Sequence, residues 1–320
     1  MKKGTIQHLV TWRIVQLPFI LIAIYTLTFL LAWQIPGNPL ESEGRMPPPE
    51  VVEAMQAQYN LDHPLKFYGE YLWNASGFGW LVSEHDGPIF NLGPSLRHEN
   101  WTVNEILLAG LPVSMTLGLF AMLTALFIGL SAGTLSALKP KMWIDSLAFL
   151  VSIIGISLPT FVIGVCLLMT FSVWLHLFPI SGWGTWKHMV LPSLTLSLPF
   201  AAYIAQLTRS GMIEQLGSNH IRTARAKGLS EYSVVLKHAM KNAILPVLSY
   251  IGPATAAALT GSFVVEKIFA VPGVGVHFVE AVLGKDITVL MGIVLVYATL
   301  LVMFNLVVDV MYRLIDPRLT

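Results

Sequence analysis

Residues 14–33, 111–138, 147–175, 189–207, 244–265 and 287–308 contain no Lys, Arg, Asp or Glu. Crossing a hydrocarbon core of about 30 Å takes roughly 20 apolar residues, and six runs meet or approach that length. A chain in hydrocarbon must satisfy its own backbone N–H and C=O groups, which leaves helices or closed barrels. Long apolar runs without period-2 alternation select helices. The predicted fold is therefore an all-α membrane protein with six transmembrane helices. The composition agrees: 55% of residues are hydrophobic, 12% are charged and the mean hydropathy is +0.68, well outside the range of soluble domains.

An even number of crossings returns both ends of the chain to one side, and the Lys/Arg distribution says which. One set of connecting segments carries Lys2, Lys3, Arg13, Lys139, Lys141, Arg209, Arg222, Arg225, Lys227, Lys237, Lys241, Arg313 and Arg318. The other carries only Arg45, Lys66, Arg97, Lys187, Lys267 and Lys285. The first set is expected in the cytoplasm with both termini, giving a multi-pass protein of the cell (inner) membrane. Lys2 and Lys3 could also head a signal peptide, but residues 14–33 exceed a signal core and no A-x-A site follows. A retained first helix is the expectation. Cys166 is the single cysteine, so no disulfide forms within the chain.

Three regions follow: residues 1–33, an extracytoplasmic loop at 34–110, and a five-helix core at 111–320 that includes a basic loop at 209–243. The first loop holds ten Asp/Glu against three Lys/Arg. Pro47-Pro48-Pro49 leads into an expected helix over 50–59, with Val51, Met55 and Tyr59 on one face. Trp73, Phe78, Trp80, Phe90 and Trp101 read as an interfacial lid lying on the bilayer.

Several chemistries are excluded or disfavoured by spacing. Gly129-Leu130-Ser131-Ala132-Gly133 matches a nucleophile elbow, but it falls within an apolar run rather than at a strand-to-helix turn. Gly129 and Gly133 are better read as a close helix crossing. The Gly284-Lys285 pair lacks the upstream glycine of a phosphate-binding loop and is followed by Asp286. Nine histidines are scattered without a metal-binding spacing, so neither metal nor cofactor is expected. Asp145, Arg209, Glu266 and Asp309 all lie near the ends of apolar runs. The runs therefore lack the midplane ionisable groups of an ion-coupled carrier.

The segment Arg222-Thr223-Ala224-Arg225-Ala226-Lys227-Gly228 is the most distinctive motif. A short helix over 219–227 is expected, ended by a left-handed Gly228, and Ser230 is placed to cap a second helix through Val234, Val235 and His238. Two readings stand on residues alone: an elbow that receives a mechanical push, or a basic loop that only fixes orientation.

This segment resembles the cytoplasmic signature of ATP-binding-cassette importer permeases, in the form found in the dipeptide/oligopeptide/nickel branch. Arg222 and Thr223 replace the general pattern's Glu and first Ala, while Ala224 and Gly228 match. The likeness continues through Arg13, Pro18, Pro36-Gly37-Asn38-Pro39, Leu61-Asp62-His63-Pro64-Leu65 and Leu92-Gly93-Pro94-Ser95. An apparent insertion interrupts it at 80–89. Further matches are Leu158-Pro159-Thr160-Phe161, Phe178-Pro179-Ile180-Ser181-Gly182-Trp183, Leu191-Pro192-Ser193-Leu194-Thr195, Val265-Glu266-Lys267-Ile268-Phe269, Pro272-Gly273-Val274-Gly275, Asp309, Tyr312 and Asp316-Pro317-Arg318.

The resemblance implies a type I importer permease of the B-subunit kind, with no ATPase activity of its own. Its implied partners are a second homologous permease, two cytoplasmic ATPases and an extracytoplasmic binding protein. It implies coupling to the ATPases through Arg222 to Gly228, and an outer-face motif of Glu266, Phe269, Pro272, Gly273 and Gly275 against which the binding protein docks. Dipeptides, longer peptides, nickel chelates and oligosaccharides all remain open as substrates.

Overall fold

The computed structural model describes residues 3–36, 40, 48–82, 87–98, 100–259 and 263–315, without the side chains of residues 3–7, 9, 51, 144 and 311–315. Residues 37–39 of the Pro36 motif, residues 83–86 of the insertion and the tail at 316–318 lie outside it.

The described chain is helical. In order come α1 (Lys3–Gln34), α2 (Pro49–Tyr59), α3 (Pro64–Ala75), α4 (Phe78–Val82), α5 (Val103–Leu138) and α6 (Trp143–Ser157). Next are α7 (Thr160–Leu167), which runs into a π-helical turn (Leu168–Trp174), α8 (Trp186–Leu216) and α9 (Asn219–Ala226). Then follow α10 (Glu231–Ser233), a second π-helical turn (Val234–Ala239) and α11 (Met240–Ala243). The chain continues through α12 (Leu245–Leu259), α13 (Phe263–Ile268), α14 (Val274–Leu283) and α15 (Ile287–Ile315).

Among the described residues four helices are long and apolar enough to cross a membrane unbroken, within α1, α5, α8 and α15, and the number is up to six if each of two bent pairs is one span. The sequence predicts spans at 147–175 and 244–265, with prolines such as Pro159 and Pro253 that suggest kinks, and in the structure each belongs to a bent pair. The first is α6 and α7 with its π turn, bent by 112°. The break falls at Leu158-Pro159, because a residue before proline is pushed out of the helical region and Leu158 takes an extended ψ of 134°. The second is α12, which ends at Leu259 and joins the preceding residues 231–243 at a 58° bend. The predicted helix at 50–59 is α2, where proline at the first turn starts the helix and left-handed Asn60 ends it.

The chain forms two compact units. The first comprises residues 1–10, 115–271 and 303–320. Its core places Met122 and Ala125 of α5 against Ala201 and Ile204 of α8 and Val247, Ala254 and Ala258 of α12. Small residues set these crossings. A Cβ on Gly129 would lie 2.7 Å from Ile204, and one on Gly133 only 2.5 Å from the Ala205 carbonyl, so the pair is a packing seam as expected. Ser131 is exposed in mid-helix, where it cannot form a nucleophile elbow.

The second unit comprises residues 11–114 and 272–302. Here α3 packs into the core. Its Phe67 and Tyr71 are buried among Tyr25, Phe29 and Ala32 of α1, Val103 and Ile106 of α5, and Met291 and Ile293 of α15. Tyr25 donates to the Tyr68 carbonyl at 2.7 Å, and Tyr71 donates to the Thr288 carbonyl at 3.0 Å. Burial pushes the Tyr71 phenol well above its ordinary range, which keeps it a neutral donor. Trp73, Phe78, Phe90 and Trp101 remain exposed, as interfacial aromatics are.

Candidate functional site

The basic segment folds as the sequence predicts. In α9, Ile221 and Ala224 are buried three residues apart, while Arg222, Thr223, Arg225, Ala226 and Lys227 face outward. The helix ends in a Schellman arrangement: Leu229 N donates to the Ala224 carbonyl at 3.4 Å and Gly228 N to that of Arg225 at 2.9 Å. Gly228 sits at φ +76°, a conformation that glycine adopts without steric cost. Ser230 caps the next helix by accepting from Ser233 N at 3.4 Å.

That next helix differs from a plain α-helix by its π turn. With i to i+5 bonding, Val234 and Ala239 fall on one face, and both are buried beside Val235. They close a small core with Ile221, Ala224, Ala137 of α5, Met212 of α8 and Ala243 of α11. The cationic face of α9 is thus mounted on the ends of membrane helices by apolar packing. Arg225 is paired with Glu231 at 2.8 and 3.1 Å, which raises the guanidinium's pKa further.

Near its base lies an ionic joint that the sequence did not predict. Arg209 of α8 donates to both oxygens of Asp145 of α6, at 2.7 and 2.8 Å. Ser136 of α5 donates to the same carboxylate at 2.5 Å and Lys141 N at 2.8 Å. Three helices meet at one carboxylate. The sequence placed Asp145 and Arg209 near span ends; their separation of 64 residues hides that they face each other.

The outer-face motif is mostly interior. Glu266 and Phe269 are 0% and 2% exposed; Val271 N donates to the Glu266 carbonyl at 2.8 Å and Gly182 N to that of Phe269 at 3.0 Å. In the other unit Pro272 is exposed, whereas Gly273 and Gly275 are buried. Val274 N donates to Ser114 Oγ at 3.0 Å, and a Cβ on Gly110 would come within 2.9 Å of Val274. Pro272 is the one exposed residue of the five.

The same unit gathers His98, His277 and Glu280, whose ligating atoms lie within 4.8 Å of one another. In the sequence these histidines are scattered, and the His277-x-x-Glu280 spacing on α14 is the local signal that could have found the group. Burial holds the His277 imidazole below its ordinary pKa, Glu280 opposes that shift and His98 adds to it.

Several helices long and apolar enough to cross a membrane, with an exposed basic helix-turn segment packed on the ends of three of them, define a polytopic membrane protein. Residues 125–320 match the family described as binding-protein-dependent transport system inner membrane component, and the chain belongs to that family. Among relatives it is 40% identical over 299 residues to the dipeptide transport system permease protein DppB of Bacillus subtilis, covering 93% of each chain. It is 39% identical to the oligopeptide transport system permease protein OppB of Haemophilus influenzae, covering 95% of each, and to that of Salmonella typhimurium, covering 94% of each. The fold is similar to a chain of the MetNI methionine ABC transporter solved in inward-facing conformations. The TM-score is 0.55 at 17% identity, over 66% of this chain and 96% of that one.

Proposed function

We propose that this chain is the permease subunit of an ATP-driven importer of dipeptides or oligopeptides, and that α9 with Gly228 receives the stroke of separate ATPase subunits. The carrying observation is the two-faced α9. Its inner face is locked into a core shared with the ends of α5, α8 and α11, while its outer face offers Arg222 and Lys227 to a partner. A push on that face moves packed helices rather than a free loop. The names of the relatives supply the peptide substrate. In this reading a second permease completes the pathway, two ATPases dock on the cytoplasmic side with both termini, and a binding protein delivers solute outside. The 265–275 region then acts by holding the shape of the outer surface, with Pro272 as its contact.

The test is Gly228→Leu. A Cβ at this position meets nothing within 4 Å, so within the chain it costs only the strain of a left-handed residue, about 1–2 kcal/mol. In proteoliposomes with both ATPases, the second permease and peptide-loaded binding protein, stimulated ATP hydrolysis and peptide uptake should fall at least tenfold. Glu231→Gln, which removes an exposed pair, should remain near wild type. Normal coupling in Gly228→Leu with both ATPases bound would show that the segment only sets orientation. Uptake of other solutes but no peptide would overturn the substrate reading alone.

A further inference from the structure

We propose that His98, His277 and Glu280 form a site for a divalent transition ion, best matched by Zn2+, which clips the loop preceding α5 to α14. His277 and Glu280 are one turn apart on α14, so both reach the same side of that helix. His98 approaches from the loop, and its ring stands perpendicular to that of His277 with centroids 6.5 Å apart. Two imidazoles and one carboxylate, with a water in fourth place, are a Zn2+ ligand set.

Three further features point to a ligand. The Nδ1 atom of His277 is buried and makes no hydrogen bond among the described residues, its carboxylate neighbour Glu280 Oε2 standing at 4.0 Å, although buried polar atoms are otherwise nearly always hydrogen-bonded. A void of about 10 Å³ opens between His98, His277, Glu280 and Asp286, room for about one water or one ion. The loop bearing His98 is also fixed in advance. His98 N donates to Ser95 Oγ at 2.9 Å, and Ser95 Oγ donates to the buried Asp286 carboxylate at 2.5 Å. Asp286 in turn accepts from Val289 N at 3.2 Å in the first turn of α15. Tetrahedral coordination at about 2.0–2.1 Å would bring the nitrogens to about 3.3 Å apart. The closure required is roughly 1–1.5 Å, within reach of side-chain rotation because His98 is exposed. Arg97 also lines the void, and its backbone N–H donates to Asp286 at 3.3 Å. The ion would be structural, so the inference does not depend on the solute carried; only its position outside the membrane rests on the proposed orientation.

The full chain, purified in detergent with whatever subunits accompany it, is titrated with Zn2+ against a chromophoric chelator. One Zn2+ per chain should bind more tightly than about 10 µM, a threshold near the ordinary binding range. That ion should be lost in His98→Ala and His277→Ala, bound at least tenfold more weakly in Glu280→Gln, and retained in His63→Ala. Co2+ should give the intense visible bands of a four-coordinate site in the wild type and not in His98→Ala. Zn2+ should raise the melting temperature of the wild type but not of that variant. If His277→Ala fails to fold, exposed His98 and the near-isosteric Glu280→Gln carry the test. No binding at 10 µM, or binding that persists in the folded histidine variants as an adventitious ion only, would overturn the site.

Discussion

Glycines do opposite jobs at different points of this chain, and the space around each one decides which. A Cβ at Gly118 would lie 2.3 Å from the Ala258 carbonyl oxygen and 2.7 Å from the Leu259 Cα. Backbone cannot retreat as a flexible side chain can, so Gly118→Val forces α5 and α12 apart at a cost of at least about 1–3 kcal/mol. Gly69, in the middle of α3, meets nothing within 4 Å. Gly69→Ala should stabilise by up to about 1 kcal/mol, because alanine loses less backbone freedom on entering a helix. Thermal unfolding of the purified protein reads both. A Gly118→Val melting temperature at or above wild type would mean that the crossing is looser than described.

At the scale of elements, the joint of Ser136, Asp145 and Arg209 binds α5, α6 and α8 together close to the core that seats α9. Asp145→Asn keeps the shape but removes the charge, and leaves Arg209 the neutral amide oxygen and Ser136 Oγ, 3.1 Å from its Nε, where it had a bidentate carboxylate. We expect assembly to survive, the melting temperature to fall, and substrate-stimulated ATP hydrolysis to drop several-fold. Exposed Glu231→Gln should change neither. If Asp145→Asn lowers stability but leaves stimulation untouched, the joint is structural and takes no part in transmission. The elbow itself was readable, because its signals are local: a helix-forming run, a glycine at the stop and a serine cap all lie within a dozen residues. The joint was not, because pairing across 64 residues depends on how three helices align.

At the scale of the whole molecule, the orientation drawn from the basic residues can be tested directly. Single cysteines replacing Lys139 and Lys227 should be shielded from an impermeant maleimide added outside intact cells. Those replacing Leu65, which is 85% exposed, and Lys187 should react. All four are built on Cys166→Ser, since that thiol is exposed on α7. Labelling of position 227 from outside would reverse the topology and remove the elbow from the reach of any cytoplasmic ATPase.

The sequence by itself determined that the chain is helical and membrane-embedded, where its apolar runs lie, how its basic residues divide between alternate connecting segments, and that α9 stops just before Gly228. These follow from hydropathy, charge asymmetry and backbone preference, which act within a residue's own neighbourhood. Only the tertiary structure decided how sharply the run at 147–175 bends at Leu158-Pro159, by 112°, and that Phe67 and Tyr71 of α3 are core. It likewise decided that Glu266 and Phe269 are interior and that His98 meets His277 and Glu280. An apolar or aromatic side chain carries the same signal whether it faces lipid or another helix, so only packing tells the two apart. Contacts between residues nearly two hundred positions apart, such as Ser95 with Asp286, leave no periodicity for a sequence to display.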